Sequence, residues 1–347
     1  MAWGTPSRER RVLKAGHSSI AVTLPKPWAE AMNLRPGDLI VFDQNDDGTL
    51  FLKPAPVPGA ISSTAPFLVQ ARAFDTPGVL QRLIIGAYRV GHDAIEVRTD
   101  VPLAAERVEE VLQAARGLLG VSVVAQEPNR MVLQNFIDPS KYGLPQLVQR
   151  MKMILVAVLE EMEVVLSRRA RSRRLSTLDE EASKVLALLV RQLFLASRDW
   201  SLARRIGSPD PRQLLEWRVV VHALEELAEL FGETLAALNE ETSRVSGTTR
   251  ETLVAYLPEL KVHLKAVVEA LMHPSLDHAC DVYHQSRQIG EGLVAAPARH
   301  AGARARPAPP MASHLLQRGA GCLSLLAQVA IDRAVASGTE TILVEAA

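Results

Sequence analysis

The chain has 347 residues, 48% of them apolar, long enough to bury two or three cores and too apolar for a disordered protein. Lysine plus arginine number 39, matching aspartate plus glutamate at 39, so a global polycation is excluded and any contact with nucleic acid must come from a local positive cluster. The two cysteines, Cys280 and Cys322, have no zinc-knuckle or disulfide-scaffold spacing.

The N-terminus, MAWGTPSRERR, lacks the apolar core of a secretory signal. The longest apolar runs, such as MILVAVL at 153–159, fall well short of the roughly 20 residues a membrane span needs. A cytoplasmic protein without a membrane span is the expectation.

In chain order, RRVLKAGHSSIAVTL (10–24) reads as two strands joined across Lys14–Ser18, with Ile20, Val22 and Leu24 alternating on the second. PKPWAEAMNL is a short helix with Pro25 and Pro27 near its first turn, where a missing N–H is tolerated. RPGD (35–38) turns the chain, and LIVFDQNDDGTLFLKP forms a second hairpin around Asp46-Asp47-Gly48. This first domain spans 8–54. The proline-rich stretch 55–66 is a linker.

Residues 67–138 alternate between periods of two and of 3.6, giving the order β-α-β-α-β-β of a small α/β layer domain. From 143 to 338 the pattern is helical. Leu144, Leu147, Met151, Ile154, Leu155, Val158, Met162 and Val165 recur at three- and four-residue steps, and the pattern resumes at 178–206, 212–240, 249–272, 276–294 and 312–336. APARHAGARARPAPP (296–310) is expected to be the longest loop of this region. Six long helices with mostly short connections imply an antiparallel bundle.

The stretch SSIAVTLPKPWAEAMNLRPGDLIVF resembles the AbrB/SpoVT swapped-hairpin family, with Ser19, Val22, Leu24, Pro25, Lys26, Trp28, Leu34, Gly37, Asp38 and Ile40 at the matching places. The resemblance implies a homodimer with interleaved hairpins and basic residues that contact DNA, for which Arg8, Arg10, Arg11, Lys14, His17 and Lys26 are the candidates. Some 45 residues bury too little alone, so obligate pairing is also the physical expectation.

LDEEASKVLALLVRQL (178–193), HALEELAELFGETL (222–235) and LLAQVAIDRAV (325–335) are similar to helices of the PhoU family of phosphate-uptake regulators. With the two domains before it, the chain resembles the archaeal-type PhoU regulators. The implied fold is multidomain α+β: a small swapped-hairpin β domain, a small α/β domain and a six-helix bundle of two three-helix repeats.

The implied function is a DNA-binding transcriptional regulator of phosphate homeostasis, with a phosphate-transporter ATPase or a sensor kinase as a further partner. The alternative is a PhoU-type adaptor that works by protein contact and uses its N-terminal domain only to dimerise. PhoU proteins hold divalent metal ions on acidic pairs, and Asp179, Glu225 and Glu229 are what this chain retains of them, with Ser183 and Leu325 where further carboxylates stand in the family. The Glu225/Glu229 pair also reads as a solvated helix face.

RRARSRR (168–174) fits a helix C-terminus complementing its dipole, or a second phosphate or partner contact. FDTPGVLQRL (74–83) is similar to the turn that opens the first helix of ACT ligand-binding domains, where a helix N-terminus accepts an anion, but a tight strand-to-helix turn explains Pro77 and Gly78 without any ligand and is the preferred reading. No nucleophile elbow, P-loop or GxGxxG is present, so the chain is not expected to be an enzyme.

Overall fold

The computed structural model describes residues 9–44, 48–55, 66–70, 76–240, 247–300 and 311–338. The chain divides into two compact units, Met1–Ser63 and Thr64–Ala347.

In the first unit, strands β1 (Leu13–Ala15) and β2 (Ser19–Ala21) pair antiparallel, with Lys14 opposite Ile20. Helix α1 (Lys26–Ala31) starts behind Pro25. The turn that follows is closed twice: Asp38 N donates to Arg35 O at 3.0 Å, and Arg35 N donates to Asp38 Oδ2 at 2.7 Å. Pro36 and Gly37 fill its middle positions, and the φ of 101° at Gly37 is one that a β-carbon would strain, as in a type II turn. Strands β3 (Ile40–Gln44) and β4 (Leu50–Pro54) then pair antiparallel, Ile40 opposite Pro54. The two hairpins are separate two-stranded sheets. Such hairpins are at best marginal in water without a covering layer.

The second unit begins with the expected β-α-β-α-β-β order: β5 (Phe67–Gln70), α2 (Val79–Arg89), β6 (Ala94–Arg98), α3 (Ala105–Arg116), β7 (Val121–Glu127) and β8 (Arg130–Asn135). The sheet order is β5-β6-β8-β7, with β5 parallel to β6 and the other pairs antiparallel. Helices α2 and α3 pack on each other, reaching β6 and β7 respectively. The core between the layers holds Val69, Leu80, Ile84, Tyr88, Ile95, Val97, Val111, Met131 and Leu133.

The helical region contains α4 (Leu144–Arg168), α5 (Leu175–Ala196), α6 (Trp200–Arg205), α7 (Pro211–Glu240), α8 (Gly247–Met272), α9 (Leu276–His300) and α10 (Met311–Ser337). Two boundaries differ from the sequence reading. The single segment expected over 178–206 is two helices, because Asp199 adopts extended backbone and its carboxylate accepts from Ser201 N and Leu202 N, which starts α6 afresh. The loop expected from 296 begins later, since α9 runs on to His300.

Helices α4, α5 and α7 all touch one another, as do α8, α9 and α10, and the two trios join through α4 on α8 and α7 on α10. One continuous apolar core runs through both. Among the described residues, α10 is long and apolar enough to cross a membrane by length and composition, with a mean hydropathy of 1.3, and half of its apolar window is buried within the protein. No span was expected because small and polar residues interrupt its apolar runs.

The α/β layer sits on α5. Ala187 of α5 belongs to the core of the layer, while its neighbours Val185, Leu188 and Leu189 belong to the core of the bundle. Arg191, 2% exposed, donates from Nη1 to Tyr88 O at 2.7 Å and His92 O at 3.0 Å, and from Nη2 to the Asp93 carboxylate. Its guanidinium lies 4.8 Å from the centre of the Tyr88 ring. Burial pulls the Arg191 pKa down, with Asp93 and Tyr88 opposing, so the charge depends on this surrounding set of acceptors. Gly91 permits the close approach: a β-carbon there would stand 2.8 Å from Leu195 Cδ2 of α5, and its φ is 104°.

Candidate nucleic-acid interface

The basic candidates of the first unit are set out by its two-stranded ladder and first helix. Arg10 and Arg11 precede β1, Lys14 lies at the middle of that strand, His17 is on the hairpin turn and Lys26 opens α1; all five are exposed, and Arg8 lies outside the described residues. Arg10 Nη1 donates to the carbonyl of Glu9 at 3.4 Å. Lys26 Nζ is 3.7 Å from Glu30 Oε1 one helical turn on, with side chains 86% and 67% exposed, an arrangement worth only a few tenths of a kcal/mol in water. It leaves the ammonium available.

Because Lys14 is directly opposite Ile20, the lysine shares a strand face with that apolar residue, whereas Leu13, Ala15, Ser19 and Ala21 occupy the other. The candidates therefore do not form one continuous run along a single face. Arg35, on the type II turn, is an exposed cation that the sequence reading passed over. A search for basic residues carried past the first helix to the turn behind it would have found it.

The apolar residues of this unit are just as exposed. Ile20 is 78% exposed, Leu39 76%, Val12 64% and Phe42 58%, and no described residue between 9 and 55 is buried. Leu13, Val22, Met32, Leu50 and Phe51 are exposed as well. A fold with alternating apolar positions and no buried residue lacks the second layer that such alternation is built for.

The three acidic candidates of the bundle are not brought together. Asp179 is exposed on α5 and Glu229 is exposed on α7. Glu225 is engaged elsewhere: Arg89 Nη2 of the α/β layer lies 3.1 Å from its Oε1, with both side chains about one-third exposed (33% and 34%). Among the described residues, no group of three or more His, Cys, Asp or Glu side chains could hold a metal ion. The Glu225 carboxylate instead helps tie α2 to α7.

The helix start read as a possible anion acceptor is already filled. Phe74 and Asp75 of that motif lie outside the described residues, and Gly78 caps α2 at a φ of 83°. Glu110 of α3 accepts from Gln81 N at 3.1 Å and is held by Arg107 Nη1 at 2.8 Å. Burial works against the Glu110 charge, but the backbone N–H groups of Gln81 and Gly78, with Arg107, outweigh it and hold its carboxyl below the usual range. The protein's own carboxylate takes the place an outside anion would occupy.

Residues 13–59 match the family model described as antidote-toxin recognition MazE, bacterial antitoxin. No curated protein and no solved structure matches the chain. The N-terminal piece is thus a MazE/AbrB-type domain, and the match does not extend to the α/β layer or the bundle.

Proposed function

We propose that this chain is a homodimeric DNA-binding transcriptional regulator. The observation that carries the reading is the combination, in the matched domain and the residues just before it, of exposed cations and a full set of uncovered apolar residues. The apolar residues call for a second copy, and pairing doubles the cations of Arg10, Arg11, Lys14, His17 and Lys26, to which Arg35 is added. Phosphate contacts by such residues supply most of the affinity for DNA and make it salt-dependent.

The finer reading is control of phosphate uptake. It is supported by the similarity of the helices at 178–193, 222–235 and 325–335 to PhoU, and by two mutually packed helix trios. In that reading the bundle relays phosphate status through a transporter ATPase or a sensor kinase. The protein acts by binding, without catalysis, in a reducing cytoplasmic compartment. The free thiols of Cys280 and Cys322 fit that setting.

The test is DNA binding by the purified chain and by an R10A/R11A/K14A variant. The variant is expected to dimerise like the parent and to lose at least tenfold in affinity, with a shallower dependence on salt. An unchanged affinity would move the DNA face elsewhere. Binding sites mapped in the genome test the finer reading, since sites scattered without regard to phosphate-transport genes would refute it.

A further inference from the structure

The end of α4 and the loop that leads to α5 carry five arginines in seven residues, Arg168, Arg169, Arg171, Arg173 and Arg174, and the dipole of α4 accounts for the first of them alone. The loop is held in one shape. Arg169 caps α4 in the left-handed region, with φ 53° and ψ 33°, and reverses the chain. Ser172 is then clamped to the end of α7: its N–H donates to Asn239 Oδ1 at 2.8 Å, and Asn239 Nδ2 donates back to Ser172 O at 3.3 Å. Ser172 Oγ donates to Glu161 Oε2 at 2.7 Å, and Arg174 Nη1 donates to Glu161 Oε1 at 2.9 Å.

The carboxylates on the last turns of α4 are therefore occupied. Glu161 serves Ser172 and Arg174, while Glu163 and Glu160 face Lys261 Nζ at 3.0 and 4.0 Å. Arg168, Arg169, Arg171 and Arg173 are exposed and have no carboxylate partner among the described residues. The exposed carboxylates nearest by connection are Glu240, beside Asn239, and Asp179 and Glu180 on the first turns of α5. Four free guanidinium groups on a fixed loop thus stand out from a chain whose net charge is zero.

We propose that this arginine loop is a second DNA contact, gripping the phosphate backbone. It rests on the reading of the chain as a DNA-binding dimer. The planar fork of arginine suits two oxygens of a phosphodiester, and a loop already fixed loses little entropy on binding. The run offers only Ala170 and Ser172 between its arginines, so nothing in it can insert into a lipid layer. Because it is carried on the same chain as the first basic cluster, its binding to one DNA molecule is an intramolecular event and multiplies affinity without being strong alone.

The experiment measures binding of the full chain to a labelled DNA duplex of arbitrary sequence over a series of salt concentrations. It compares the parent, the R10A/R11A/K14A variant and an R168Q/R169N/R171Q/R173Q variant, with asparagine at 169 because it tolerates the left-handed backbone. Retained helicity and melting temperature establish that the loop variant is folded. The loop variant is expected to bind at least tenfold more weakly, and its slope of log K against log salt should be shallower by about 0.9 for each arginine that meets a phosphate.

A folded loop variant with the parent's slope and affinity overturns the second contact while leaving the N-terminal DNA face standing. The converse result, a loss in the loop variant and none in R10A/R11A/K14A, keeps the loop and overturns the N-terminal face. A parent that binds no duplex overturns both. Loop-dependent binding to phosphatidylcholine vesicles containing phosphatidylserine, with an unchanged DNA slope, would assign the loop to a membrane surface instead.

Discussion

Replacing Ile20 by threonine keeps a β-branched side chain, and with it the strand preference, while removing apolar surface from the middle of β2. Two carbons are lost, worth about 1.6 kcal/mol at about 0.8 kcal/mol per buried methylene. Since Ile20 is 78% exposed in the single protomer, about 1.2 kcal/mol of that is at stake when a second copy covers it. Burying the new hydroxyl without a partner costs about 1 kcal/mol more.

Both copies carry the change, so the dimer is weakened by about 4 kcal/mol, or close to three orders of magnitude in Kd. Sedimentation equilibrium of the full chain over a range of concentrations measures it. If Ile20 stayed in water in the working protein, the substitution would shift stability by no more than about 0.5 kcal/mol. A variant with the parent's dimer dissociation constant would therefore refute the argument that the exposed apolar set of the first unit is an interface.

Arg191→Ala should be among the most damaging single changes in the second unit. It strips two carbonyls and Asp93 of a charged donor, costing about 3–5 kcal/mol and lowering Tm by about 10 °C. Arg191→Met, which removes the buried charge but keeps much of the volume, should cost less than half of that; thermal melts of both variants check the order, and equal losses would deny the guanidinium its role. Glu110→Gln should cost about 1 kcal/mol at neutral pH, through a weakened cap on α2. Because the folded pKa of Glu110 is lowered, its contribution is present above the unfolded value of about 4.3 and fades as pH falls through the folded one. The variant should therefore lose less stability between neutral and acid pH than the parent, and parallel acid-unfolding curves would contradict this.

Local chemistry was readable in the sequence wherever it is decided by neighbours along the chain. The Arg35–Asp38 turn needs only Pro36, Gly37 and a carboxylate three residues on, and the structure forms it with both hydrogen bonds. The start of α6 at Asp199 was equally local, and was hidden by apolar periodicity that runs on across it. What could not be read is pairing between distant segments. Glu225 looks like a ligand or a solvated acid until Arg89, 136 residues away, is found beside it. Arg191 and Gln192 look like the polar side of an amphipathic helix; Arg191 is buried against Tyr88, His92 and Asp93 of the α/β layer, and Gln192 under the segment before α4, where it donates to the carbonyls of Pro139 and Tyr142. Exposure of the first unit's apolar residues was legible only in part, since alternation shows that a layer is wanted and not which chain provides it.

From Val185 to Leu193 every residue of α5 is buried, so for two and a half turns this helix has no face toward water. Its amides can exchange with solvent only when the elements packed around it open, which places them among the slowly exchanging ones. The same enclosure bears on how such a chain drifts over generations. Ala187 and Arg191 meet the α/β layer while Val185, Leu186, Leu188, Leu189, Val190 and Leu193 belong to the core of the bundle, so a substitution along these nine residues disturbs one packed layer or the other, and the stretch should tolerate little change.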